Sequence, residues 1–216
     1  MLEVDQAAVV DLLGALAYGE LTAFERLALD SRFAPTLGDK AQLAGMAAAE
    51  FGHFRCLIDY LTDVVGVDAE AAMAPFVVPL DEFHESTAPS DWLEGLVKAY
   101  VGDSIAADFY REISRYLDPR TRDLVLEVLE DTGHSAFAVD RVRAAITADR
   151  KLAGRLALWG RRLVGEALSQ AQRVAAERDA LIRLVAGSGD LSEFSRMLGR
   201  LTERHTERMT SLGLSA

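Results

Sequence analysis

The chain is patterned as helix almost from end to end. Apolar residues recur three and four positions apart, and the alternation of a half-buried strand is nowhere sustained. The pattern predicts a first helix over residues 5–31, stopping ahead of Pro35, and a second over 38–66, ending near Gly66. Residues 67–90 hold three of the five prolines and predict a long crossover. Asp91 and Glu94 have capping-box spacing, which predicts the start of a third helix reaching about residue 117. Pro119 suits the first turn of a fourth helix over 120–148. A fifth is predicted over 152–186 and a sixth over 190–211, after "GSGD". Two helices, a long connection and two more predict an all-α four-helix bundle over residues 1–150. Residues 151–216 predict two additional C-terminal helices packed on the bundle as part of the same domain.

Each bundle helix carries an ionisable group in the middle of its apolar stripe. The first stripe reads Leu13, Leu16, Glu20, Phe24, Leu27, and the second Leu43, Met46, Glu50, His53, Leu57, Leu61. The third reads Leu96, Tyr100, Asp103, Ala107, Tyr110, Leu117, and the fourth Leu124, Val128, Asp131, His134, Ala138, Val142. Burying one such charge costs several kcal/mol unless it is paired or bound to metal. Glu50 and His53 are three apart, as are Asp131 and His134, so each pair projects from neighbouring points on one face. The flanks repeat as well. "GELTAFE" at 19–25 matches "GDSIAAD" at 102–108, and "EFGH" at 50–53 matches "DTGH" at 131–134. The chain therefore reads as a duplicated helical hairpin, each copy supplying one carboxylate and one acid-x-x-His pair.

Four carboxylates and two imidazoles suit a pair of metal ions. Oxygen and nitrogen donors fit Fe, and Mn or Zn as well, and the acids offset the charge of two divalent ions. The competing reading is a metal-free polar core, in which crowded acids repel and some take up protons. Glu130, four residues before His134, is a fallback ligand. Tyr110 lies on the stripe of Asp103, either as a donor behind the ligands or as plain core. Glu166 and Gln170 are one turn apart and either approach the core or, for Glu166, pair with Arg162. His84 and His205 lack matched ligand sets and read as ordinary polar residues, while Phe137 reads as core.

Composition narrows the classes. The net charge of −11 divides unevenly: residues 1–140 hold 9 Lys/Arg against 26 Asp/Glu, and residues 141–216 hold 14 against 8. The densest basic stretch, 141–162, either attracts phosphates or pairs with the acidic half. The single cysteine, Cys56, excludes an internal disulfide or a CxxC site and reads as a small buried residue. No apolar run approaches the ~20 residues of a membrane span, and the N-terminus carries acids where a signal peptide carries Lys or Arg. A cytoplasmic protein without membrane contact is expected.

Glu20, "EFGH", Asp103 and "DTGH" resemble the ligand set of the ferritin-like di-iron carboxylate superfamily. Phrases such as "GELTAFERLA", "KAYVGDSIAADFYREI" and "LWGRRLVGEALSQAQ" resemble an actinobacterial group similar to the tRNA hydroxylase MiaE. That resemblance implies a ferritin-like bundle with two Fe ions, held by Glu20 and Asp103 as single ligands and by Glu50–His53 and Asp131–His134 as pairs. It also implies an O2-dependent hydroxylase with an electron donor, a modified adenosine in tRNA as substrate, and possible homodimerisation. Asp103 and Asp131 depart from the family pattern, which has Glu at both positions. Two other classes stay open: an iron-handling or peroxide-scavenging ferritin-like protein, and a metal-free interaction protein on the same bundle. The absence of rubredoxin-type cysteines argues against a rubrerythrin.

Overall fold

A computed structural model describes residues 6–130, 134–178, 180–181 and 191–216. Among these there are eight α-helices and no strand: α1 Gln6–Asp30, α2 Leu37–Tyr60, α3 Ala69–Ser86, α4 Trp92–Ser114, α5 Pro119–Val128, α6 His134–Ala148, α7 Lys151–Glu177 and α8 Leu191–Leu212. The caps follow local chemistry. Thr36 accepts from the Asp39 N–H and Asp118 from those of Arg120 and Thr121, with Pro119 opening α5. Asp91 accepts from the Glu94 N–H, and the Glu94 carboxylate reaches back to the Ser90 N–H at 2.8 Å, one residue earlier than the usual box. At the end of α2 the helix loosens into a single π-turn, Leu61–Val65, and stops at Gly66, whose φ of 78° lies in the left-handed region that favours glycine.

Besides α7, which ends at Glu177 and not near 186, three features differ from the sequence expectation. The predicted crossover is mostly helix, because α3 runs through Pro75 and Pro79. Each proline forfeits a backbone hydrogen bond, but Ala72 and Phe76 are buried in the core, so tertiary burial overrides the local penalty. The backbones of α1 and α3 meet at Gly14, where an added Cβ would lie 2.2 Å from the Ala72 carbonyl oxygen. Second, the predicted fourth helix is two. Its first part ends at Val128, where Arg111 of α4 donates to the Leu129 carbonyl, and a separate helix, α6, is described from His134 onward. Third, Gln6–Phe33 is by length and composition apolar enough to cross a membrane, contrary to the expectation above. Half of its most apolar window is buried, as in the core helix of a bundle.

α1 packs chiefly on α2 and then on α3, while α4 packs on α7, α6 and α8. Trp159 of α7 donates its indole N–H to the Glu94 carbonyl at 3.0 Å, and Arg155 pairs with Asp91 and Glu94. On α8, Arg200 and Arg204 meet Glu112, and Arg204 and Arg208 meet Asp108, both carboxylates being buried. The core forms two layers. One holds Leu12, Leu13, Leu16, Leu57, Leu61, Phe76 and Ile113, and the other holds Leu27, Leu43, Met46, Leu96, Val101 and Leu163. Glu20 lies between Leu16 and Leu27 on α1, and Glu50 and His53 lie between Met46 and Leu57 on α2. The polar residues thus occupy the seam between the two apolar layers.

Candidate metal centre

The acid in the middle of α1 and the acid-x-x-His pair of α2 converge across the α1–α2 contact. His53 Nδ1 is 3.3 Å from Glu50 Oε2 and 3.4 Å from Glu20 Oε2. One donor atom from each of the three residues lies within 4.8 Å of the others. Donors sharing one ion at bond lengths near ~2.1 Å stand about 3 to 4 Å apart, so the spacing needs little closure to hold a metal. Glu20 is 9% exposed, and its Oε2 is buried without a hydrogen bond of acceptable alignment, within ion-pair reach of His53 but out of line for a bond.

The electrostatics follow from that crowding. Burial pushes the Glu20 carboxyl well up, the His53 contact opposes this, and Glu50 adds to it. His53 is pushed up to about 10 by the Glu20 and Glu50 carboxylates beside its ring, against the pull of burial. Without an ion, the imidazolium is the cation that the two acids gather around. A metal ion would take over that role and displace the ring proton, so the donor set fits a divalent cation on its own chemistry.

The three residues open onto a cavity of about 280 Å³, whose wall also includes Tyr100, Ser104, Glu130 and Ser135. Glu130, read from sequence as a fallback ligand, is therefore brought to the same cavity as Glu20, Glu50 and His53. Asp131 and the side chains of Asp103 and His134 lie outside the described residues. Ser104 and Ser135, their chain neighbours, both line the cavity. Two guanidiniums at the wall, Arg111 and Arg208, had no signal in the sequence. Arg208 comes from α8, more than 150 residues from His53, and both arginines pair with Asp108 of α4.

Other expectations resolve differently. Tyr110 lines a separate, apolar cavity, and its phenol is pushed up by burial and then by the charge of Glu20. Glu166 is half-buried on α7 and lines neither cavity. Arg162 is not turned toward it: its guanidinium donates to the Ser86 carbonyl and lies over Trp159. Cys56 is exposed, contrary to expectation, because its side of α2 faces away from α1. His84 and His205 join no metal cluster among the described residues, and Phe137 packs edge-on to Trp92. Within the basic stretch Arg141 pairs with Asp39 at 2.7 Å, and Arg155 is held by Asp91 and Glu94.

The model of a family described as ferritin-like domain, actinomycetes, matches residues 4–188. No curated protein matches the chain.

Proposed function

We propose that this chain, which belongs to the actinomycete ferritin-like domain family, is a di-iron oxidoreductase that uses O2 to hydroxylate an organic substrate. The observation that carries the reading is the convergence of Glu20, Glu50 and His53 in the seam of the bundle. Glu20, Glu50 and His53 would hold one ion, and the duplicated half, Asp103, Asp131 and His134 with Glu130 in reserve, would hold the second. Bound iron supplies the chemistry that activates O2 toward a C–H bond. The protein's own part is to keep the donors in place between two apolar layers and to neutralise the ions with acids. Mn or Zn suits the same donors. The likeness to the tRNA hydroxylase MiaE favours a modified adenosine in tRNA as substrate, with the exposed cations of 141–162 as the contact for phosphates.

The test is whole-protein metal analysis after iron-replete expression and anaerobic Fe(II) reconstitution. About two irons per chain are expected, and His134→Ala should lower the content toward one or none. Protein that stays free of metal would overturn the reading and leave a metal-free bundle. An unchanged modified-adenosine profile in tRNA from a deletion strain would remove the tRNA substrate while leaving the iron site standing.

A further inference from the structure

The second cavity, of about 170 Å³, lies between α1, α3, α4, α7 and α8. Leu12, Phe76, Ile105, Phe109, Leu168 and Leu201 are typical of its wall. Among the described lining residues none is charged, and only Tyr110 and Gln170 carry polar side-chain atoms. The size is close to that of an apolar cavity, about 150 Å³, known to stay dry and bind benzene. Gln170 is what a plain packing defect would not have. It is 7% exposed, and its Oε1 is buried with no hydrogen-bond partner. A buried amide oxygen without a donor is unfavourable, whereas Leu at the same place on α7 would pack without that loss. An apolar pocket with one unfulfilled polar atom is the usual form of a small-molecule site, in which the polar atom fixes orientation.

We propose that this cavity binds a small, uncharged ring compound bearing a single N–H or O–H donor, which the Gln170 amide oxygen accepts once its side chain turns toward the cavity. The walls exclude carboxylates and phosphates, since no lining cation among the described residues would meet them. The cavity volume limits the ligand to about one or two fused rings. Tyr110 stands in the wall, and Glu20 is near enough to act on its phenol, so a bound ligand would lie one side chain away from the metal centre. Binding requires no metal, and its failure would leave the metal reading untouched.

Indole and benzofuran serve as probes, being of one shape and differing in the N–H donor. Calorimetric titration of the EDTA-treated full chain should give one site for indole and binding weaker by roughly tenfold or more for benzofuran. Gln170→Leu should bring the two affinities together by weakening indole alone. Ala171→Phe, which fills the cavity from α7, should weaken both. Equal affinities in the unaltered protein, or no indole binding, would overturn the proposal. So would indole binding that is indifferent to Ala171→Phe in a variant with an unchanged circular dichroism spectrum. If that variant does not fold, the indole-to-benzofuran ratio with and without Gln170→Leu decides the matter.

Discussion

His53 and His84 show how neighbours set the behaviour of one side-chain type. Two carboxylates surround His53 and hold its proton. His84, on α3, has its Nε2 3.1 Å from the Thr22 hydroxyl, while Lys98 of α4 and Arg26 of α1 face it. Burial, and then those two cations, push its ring down to about 3. In the unfolded chain a histidine takes a proton near ~6.5 and in the folded chain His84 does not. Its folded value is the lower one, so the native advantage is fully present above about pH 6.5 and is lost as pH falls toward 3. The denaturant midpoint of the protein should therefore decline between pH 6.5 and 4, and His84→Gln should flatten that decline. An unaltered slope in the variant would assign the loss to other groups. This histidine lay in a segment read as crossover, and nothing local announced its environment. His53 was legible because Glu50 stands three residues before it on the same helix face.

At the scale of the element, caps and stops were legible and continuity was not. Asp91, Asp118 with Pro119, and Gly66 act within one turn, so sequence places them. α3 was missed because its prolines forbid helix locally, whereas the burial of Ala72 and Phe76 is a tertiary fact. The division between α5 and α6 was missed for a similar reason: Arg111, from another helix, takes the Leu129 carbonyl. The α1–α3 contact leads to a prediction against propensity. Ala is a better helix former than Gly by ~1 kcal/mol. Even so, Gly14→Ala should destabilise the protein by about 1–3 kcal/mol in urea unfolding, since its Cβ would meet backbone, not a movable side chain. A stabilised variant would mean that α1 and α3 part easily.

For the whole molecule, the candidate metal centre sits where apolar layers from both ends of the bundle stop. Gathering acids there weakens the fold in the absence of an ion, and an ion that binds only the folded form should strengthen it. At free metal 100 times its Kd the gain is about 2.7 kcal/mol, worth several degrees in a domain of this size. Fe(II) or Mn(II) should thus raise the Tm of EDTA-treated protein, and Glu50→Ala should remove most of the rise. An equal rise in the variant would place the metal elsewhere. The acidic and basic halves of the chain are also partly reconciled in three dimensions. Arg141, Arg155, Arg200, Arg204 and Arg208 of the basic part all meet carboxylates of the acidic part.

The sequence by itself determined the helical class, most helix boundaries and the Glu20, Glu50, His53 set. Those features follow from periodicities of three and four and from groups one turn apart, which a linear chain displays directly. Tertiary structure alone decided that α3 tolerates its prolines and that Glu130 reaches the cavity of Glu20, Glu50 and His53. It also decided that two arginines join that cavity and that an apolar pocket with an unfulfilled Gln170 lies behind Tyr110. Each of these depends on which helix lies against which, a relation between residues far apart in the chain that no local pattern records.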